Sequence, residues 1–227
     1  MKILAVETSG LEASVALSDA GQLLSEHVLD TTGRRNARLL VPAVDELLKQ
    51  FAIEPTNIDV VAVSIGPGSF TGLRVGTVFA KTFVWINDAK LVAIDTLQGV
   101  AQRALPADGQ ITVISDAQRG DVFVNSYCGD TIAEPVGTVR VEKLDAVLAA
   151  LQVQSTHLLT GPGVKRFADR IPEWITQAAE DSLMPRASAL LPVARRMVSL
   201  EQWADPDTLE PVYLRRSYAE EKKSDHP

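Results

Sequence analysis

The sequence is poor in the residues from which disulfides and histidine-based metal sites are built. It has one cysteine, Cys128, and three histidines, which are far apart at positions 27, 157 and 226. One cysteine cannot form an internal disulfide, and no H-x-x-x-H or H-E-x-x-H pair is present to bind a metal ion. We therefore expect no disulfide and no metal site, with Cys128 as a small residue of a strand.

Long apolar runs are also missing. No uncharged apolar stretch approaches the length of about 18 residues that a membrane-spanning helix needs. The chain starts with Met1-Lys2 and reaches Glu7 after the short run Ile3–Val6, so it has no apolar segment of signal-peptide length. We expect a cytoplasmic protein that has no membrane partner.

The sequence has no excess of basic residues. Lys and Arg number 22 against 29 Asp and Glu, which gives a formal net charge of −7. Tight binding to the phosphates of a nucleic acid needs clustered Lys and Arg, so this balance disfavours direct contact with RNA or DNA. Any role with RNA is expected to be indirect, or shared with a basic partner.

The 46% of hydrophobic residues are enough to build the cores of a two-lobed α/β protein of 227 residues. We predict the first lobe over residues 1–105, where apolar periodicity gives the order βββαβαβα. Its predicted strands are 3–6, 13–18, 23–29, 60–65 and 91–94, and its predicted helices are 36–51, 70–86 and 96–104. Long crossovers between the later strands indicate a mixed sheet with helices on its faces.

A second, reduced lobe is predicted over residues 106–207, because Pro106 and Gly109 interrupt the pattern before strands begin again. Its predicted strands are 111–115, 121–127, 136–141 and 158–160, and its predicted helices are 144–151 and 187–200. Since both lobes open with strands before helices, the pattern suggests a duplicated fold. Segment 208–218 is a candidate to return to the first lobe, and residues 219–227 are predicted to form a flexible tail.

Two turns are candidate binding sites. Glu7, Thr8 and Ser9 place a carboxylate and two hydroxyls between the first two strands, although an ordinary turn would use the same residues. The second turn, with Gly66, Gly68 and Ser69, leads from a strand into a helix whose first N–H groups could bind an anion. Ser69 is a candidate N-cap of that helix. Neither a Walker A loop nor a dinucleotide-binding loop is present, so phosphate binding remains a hypothesis.

The helix after the second turn carries a stripe of small residues at steps of four. Such a stripe permits close approach of another element, which is either the protein's own sheet or a helix of another subunit. Phe79 and Phe83 flank the stripe, and Arg74 and Lys81 share the opposite side. The candidate partner-interface residues are Gly72, Arg74, Gly76, Phe79, Ala80 and Phe83.

We predict no catalytic residue. Ser9, Ser64 and Ser69 lack the G-x-S-x-G elbow of a serine hydrolase, and Asp116 with Asp121 is interpreted as a pair of turn residues.

Four motifs occur in one order from end to end of the chain: Ile3–Ser9, Gly66–Gly76, Asp116–Phe123 and Pro211–Arg215. Together they closely resemble the TsaB (YeaZ) family of tRNA threonylcarbamoyladenosine biosynthesis. The resemblance implies a two-lobed actin/Hsp70-like (ribonuclease H-like) fold with mixed sheets and flanking helices. In such proteins the Glu7 turn corresponds to a phosphate- and metal-facing position, where Asp is usual.

The resemblance also implies a non-catalytic subunit. Its expected partners are TsaD, which transfers the threonylcarbamoyl group and binds metal and tRNA, and TsaE, which hydrolyses ATP. The chain itself is expected to need no cofactor and to pair through first-lobe helices, as a homodimer or with TsaD. Its entry into the first crossover helix, Arg34-Arg35-Asn36, lacks the histidine pair expected of TsaD. The alternative is a weak independent ATPase or peptidase of the same fold.

Overall fold

The computed structural model describes residues 1–29, 36–107, 109–152 and 157–215. The first sheet has the order β3-β2-β1-β4-β5, in which β1 pairs antiparallel with β2 and parallel with β4. Its strands are β1 (Lys2–Glu7), β2 (Ser14–Asp19), β3 (Gln22–Val28), β4 (Val60–Ser64) and β5 (Lys90–Ile94). The helices of this part are α1 (Asn36–Gln50), α2 (Phe70–Asn87) and α3 (Thr96–Arg103). All these elements follow the predicted order.

The second sheet has the order β10-β6-β7-β8, and β9 also pairs with β7. Its strands are β6 (Gln110–Asp116), β7 (Asp121–Cys128), β8 (Glu134–Pro135), β9 (Arg140–Lys143) and β10 (His157–Thr160). Its helices are α4 (Leu144–Gln152) and the short α5 (Pro162–Arg166). The single strand predicted at 136–141 is wrong, because a bend at Gly137 separates β8 from β9.

The last helix, α6 (Ala187–Ser199), packs on the first sheet. Its apolar face covers Ile3, Ala5 and Ala16, whose small side chains permit close approach, while α1 and α2 cover the opposite face of the sheet. The prediction that residues 106–207 form the second lobe is therefore wrong for α6. Periodicity identified the helix and its apolar face but not the sheet that this face covers.

The chain after α6 also returns to the first lobe. Ala204 donates its N–H to the carbonyl of Leu91 at 2.9 Å, and Val212 donates to that of Ile65 at 2.7 Å. The predicted return of segment 208–218 is thus seen for its described residues, while residues 216–218 and the predicted tail 219–227 lie outside the described ranges.

A shared core joins the two lobes at α3. Leu97 and Val100 pack against Ile111 and Tyr127 of the second sheet. The two mixed sheets, their crossover helices and the strand order confirm the predicted two-lobed α/β fold class with mixed sheets and flanking helices. None of the helices in the described ranges is long and apolar enough to cross a bilayer.

Candidate functional site

The first predicted site residue, Glu7, is fully buried at the end of β1. Its Oε1 accepts the N–H of Ser9 at 2.6 Å. Among the described residues, Oε2 of Glu7 and the hydroxyls of Ser9 and Ser64 have no hydrogen-bond partner. Burial raises the pKa of Glu7 above its ordinary value, and the hydrogen bond from the Ser9 N–H only partly opposes this effect. Glu7 is therefore part of the packed interior.

Thr8 occupies the space that the stripe of small residues on α2 leaves open. Its hydroxyl donates to the carbonyl of Gly72 at 2.7 Å. A Cβ on Gly72 would lie 1.9 Å from the carbonyl oxygen of Thr8, and one on Gly76 would lie 2.3 Å from its hydroxyl. Ala80 is fully buried in the core of the first lobe. Assigning Gly72, Gly76 and Ala80 to a partner interface was therefore wrong, since the close approach of the glycines is to the chain's own Thr8, directly after β1.

The Gly66–Ser69 turn is fixed to the Glu7–Ser9 turn. Ser69 donates its N–H to the carbonyl of Ser9 at 2.7 Å, and its hydroxyl accepts the N–H of Gly72 at 3.2 Å. This second bond confirms the prediction that Ser69 is the N-cap of α2. Gly66 is needed here because its φ is +120° and an added Cβ would lie 2.7 Å from the carbonyl oxygen of Val212.

The two lobes enclose a cleft of about 480 Å³. The predicted cofactor candidates Ser9, Gly68 and Ser69 lie in its wall, whereas Glu7, Thr8 and Gly66 are buried behind it. The opposite wall includes Asp116, Gln118, Lys165 and Arg166 from the second lobe.

Charges in the cleft wall are already balanced. Within the described lining, the four charged side chains each lie near an opposite charge: Glu12 with Arg186 at 2.6 Å, Asp116 with Arg166 at 3.5 Å, and Lys165 with Glu180 at 3.2 Å. Such pairing leaves little excess positive charge to attract a polyphosphate. Within the described ranges, no cluster of His, Cys, Asp and Glu side chains could hold a metal ion.

The outward face of α2 is apolar and exposed. Val78, Trp85 and Ile86 are 63%, 58% and 75% exposed, and Val41 of α1 is 59% exposed. Beside them, a groove of about 410 Å³ between α1 and α2 is lined by Val41 and by Phe79. Several large apolar side chains exposed on neighbouring helices, beside an apolar groove, are typical of a protein-docking site.

Sequence reasoning found only part of this face. Of the six predicted interface residues, Arg74 is exposed, Phe79 is half-buried in the groove, and Phe83 is mostly buried beneath it. Val78, Trp85 and Ile86 were missed, although the spacing of Val78 and Trp85 puts these two on the side of α2 opposite to the glycines.

Comparison with known proteins gives matches in both sequence and structure. The family model of TsaD, tRNA N6-adenosine threonylcarbamoyltransferase, matches residues 28–168. The tRNA threonylcarbamoyladenosine biosynthesis protein TsaB of Escherichia coli is 30% identical, with 98% of each chain covered. TsaB of Bacillus subtilis is 34% identical, and its alignment spans 56% of this chain and only 55% of that protein. The solved structure of YeaZ from Pseudomonas aeruginosa has a TM-score of 0.81 and 26% identity, covering 94% of this chain and 99% of that one.

The fold, the interlobe cleft and the family match define the class as a two-lobed α/β protein related to the threonylcarbamoyltransferase TsaD. Full-length similarity then makes the assignment specific. The chain belongs to the TsaB family, which confirms the resemblance seen in its motifs.

Proposed function

We propose that this chain is a non-catalytic partner subunit in tRNA threonylcarbamoyladenosine biosynthesis. It binds a TsaD subunit through the exposed face of α1 and α2, and a second copy of itself can use the same face. TsaD and TsaE provide the metal, the ATP hydrolysis and the transfer step, and tRNA contacts this chain only through the complex in the cytoplasm. The observation that carries the proposal is the exposed apolar surface of Val41, Val78, Trp85 and Ile86.

Two further observations favour a supporting role over catalysis. Glu7, the candidate nearest to a phosphate-facing position, is buried in the first lobe. The charged side chains of the described cleft lining are paired with one another or with neighbours. Both features disfavour tight nucleotide binding by the chain alone.

The alternative is a weak ATPase or peptidase. A solved protein from Pseudomonas aeruginosa, 26% identical to this chain, is described as similar to the peptidase YeaZ. In this chain His27 of β3 bonds Gln50 of α1, and His157 of β10 bonds Thr112 of β6. The described cleft lining contains neither histidine nor Cys128. A nucleophile–base pair that uses histidine or cysteine is therefore not formed in the described lining.

The deciding experiment is nucleoside analysis of total tRNA by mass spectrometry after depletion of this protein. Threonylcarbamoyladenosine is expected to disappear and to return when the wild-type chain is supplied. Normal levels in depleted cells would refute the proposal. ATP hydrolysis and peptide cleavage by the purified chain alone, at rates that a cleft substitution such as Ser69→Ala reduces, would favour the alternative.

A further inference from the structure

Two sequence motifs that the proposed function does not use meet in space. Asp116–Phe123 forms a turn of the second lobe, and Pro211–Arg215 lies in the chain that returns to the first lobe. We call residues 209–215 the strap. Its contacts connect α2, the Gly66 turn and the second lobe.

One end of the strap is anchored on the first lobe. Val212 donates its N–H to the carbonyl of Ile65 at 2.7 Å, directly before the Gly66 turn of the cleft wall. The Tyr213 ring lies 4.5 Å from that of Phe70, and its hydroxyl accepts a hydrogen bond from Nε of Arg74 at 3.1 Å. Lys81 donates to the carbonyl of Leu209 at 3.1 Å. The strap is thus fixed along α2 from Phe70 to Lys81.

The other end is anchored on the second lobe by Arg215. Its guanidinium donates to the carbonyls of Ala117 and Gln118, the latter at 3.0 Å, and to Oδ2 of Asp121 at 2.9 Å. Lys143 and Arg215 together hold the pKa of Asp121 below its ordinary value. Charge-assisted bonds of this kind are stronger than neutral ones.

The turn that Arg215 holds has an unfavourable backbone. Gln118 and Arg119 have φ values of +65° and +56°, in the left-handed region that residues other than glycine rarely adopt. Gln118 also lines the cleft. The bonds from Arg215 therefore stabilise a strained segment of the cleft wall.

The geometry limits how far the lobes can separate. Three residues of extended chain between Val212 and Arg215 span at most about 11 Å. While both anchors hold, the wall at Ile65–Ser69 and the wall at Asp116–Gln118 cannot move apart freely. In many two-lobed proteins a bound ligand that contacts both lobes closes the cleft. Here the chain makes such contacts itself.

We propose that the strap is an interlobe clamp that holds the cleft closed without a ligand, with Arg215 as its positioning residue on the second lobe. This inference depends on the two lobes and their contacts, and it holds whether or not the proposed partner role is correct.

The test compares Arg215→Gln with the wild type in the full-length chain. The matched control is Arg170→Gln, which removes another guanidinium that pairs with a carboxylate of the second lobe, Asp145 at 2.6 Å. Spin labels are placed on cysteines at the exposed positions Thr56 and Asp169, one in each lobe, after Cys128→Ser. Labelled protein is diluted with unlabelled protein so that pulsed electron resonance records intramolecular distances only.

Arg215→Gln is expected to broaden the interlobe distance distribution and shift it to longer values. The Ala117 and Asp121 amides, which are hydrogen-bonded within the turn, should exchange with deuterium about tenfold faster. The control should change neither readout. Unchanged distances and exchange in a folded Arg215→Gln protein would overturn the proposal. If this variant does not fold, Asp121→Asn is measured against Asp145→Asn, and the same two readouts decide.

Discussion

Thr8 determines how α2 packs in the first lobe, because Gly72 and Gly76 of this helix lie directly against it. Its hydroxyl donates to Gly72, and the absence of a side chain at Gly76 leaves room for that hydroxyl. Two glycines inside a helix lower its stability relative to alanine, and the hydrogen bond and close contact with Thr8 offset this loss. Small residues at steps of four therefore indicate close packing without indicating what is packed.

Gly76→Leu is accordingly predicted to act on stability. Its Cβ alone would lie 2.3 Å from Oγ1 of Thr8, so the variant should lose at least about 1–3 kcal/mol of unfolding free energy through overpacking. Urea unfolding followed by circular dichroism measures the loss. Thr82→Leu, at an exposed position of the same helix, should change stability by less than about 0.5 kcal/mol. Equal stability of the two variants would contradict this packing.

Asp95 makes the free energy of unfolding depend on pH. Its carboxylate caps α3 by accepting the N–H of Leu97, and burial raises its pKa to about 6 from an ordinary value of 3.8. The folded state therefore binds the Asp95 proton more tightly than the unfolded state does. The stability gained from this proton is complete below pH 3.8 and is lost as the pH rises through about 6.

Asp95→Asn removes this titration and keeps an oxygen that can cap the helix. Relative to wild type, the variant should gain on the order of 2 kcal/mol of unfolding free energy between pH 4 and pH 7. Urea titrations at several pH values measure the difference, with the exposed Asp169→Asn as the control. Parallel stability curves for wild type and Asp95→Asn would show that the carboxyl does not titrate in this range.

At the scale of elements, α2 has a packed face and an outer, exposed face. The glycines pack against Thr8, directly after β1, while the outer face, with Val78 and Ile86, remains in contact with solvent. The outer face can therefore be altered without disturbing the core, which makes it the best place to test docking.

The double substitution Val78→Ser and Ile86→Ser should weaken binding to a TsaD subunit at least about tenfold, because both side chains are expected to be buried in the complex. Isothermal titration calorimetry gives the affinity, and the thermal midpoint of the variant should stay near that of the wild type. A matched control is Leu23→Ser together with Val28→Ser, which removes two exposed apolar side chains of β3. If the wild type and the α2 variant bind TsaD equally well, the interface lies elsewhere on the chain.

Local patterns predicted most elements, because strand alternation and helix periodicity depend on neighbours in sequence. The helix predicted at 36–51 is seen as Asn36–Gln50, and Ser69 caps α2 as expected. Most of the misses concern distant contacts, whereas the strand predicted at 136–141 failed for a local reason, the bend at Gly137. The sequence pattern could not show that Gly76 faces Thr8, that α6 covers the first sheet, or that Glu7 lies behind the cleft wall.

At the scale of the whole molecule, the lobes do not correspond to continuous segments of the chain. α6 follows the last strand of the second sheet in sequence, but it packs on one face of the first sheet. α3 and the strap then connect the two lobes through separate sets of contacts. Unfolding of one lobe would expose apolar surface of the other, so cooperative unfolding of the whole chain is expected.

A fragment experiment tests this arrangement. Residues 1–105 alone would expose Ile3, Ala5 and Val60, which α6 normally covers, and should show no cooperative thermal transition. The same fragment joined through a flexible linker to residues 186–215 regains α6 and the described strap. It should unfold cooperatively, although at a lower temperature than the full chain, because the α3 face that packs on the second sheet stays exposed. A cooperative transition in residues 1–105 alone would instead support a first lobe that is complete without α6.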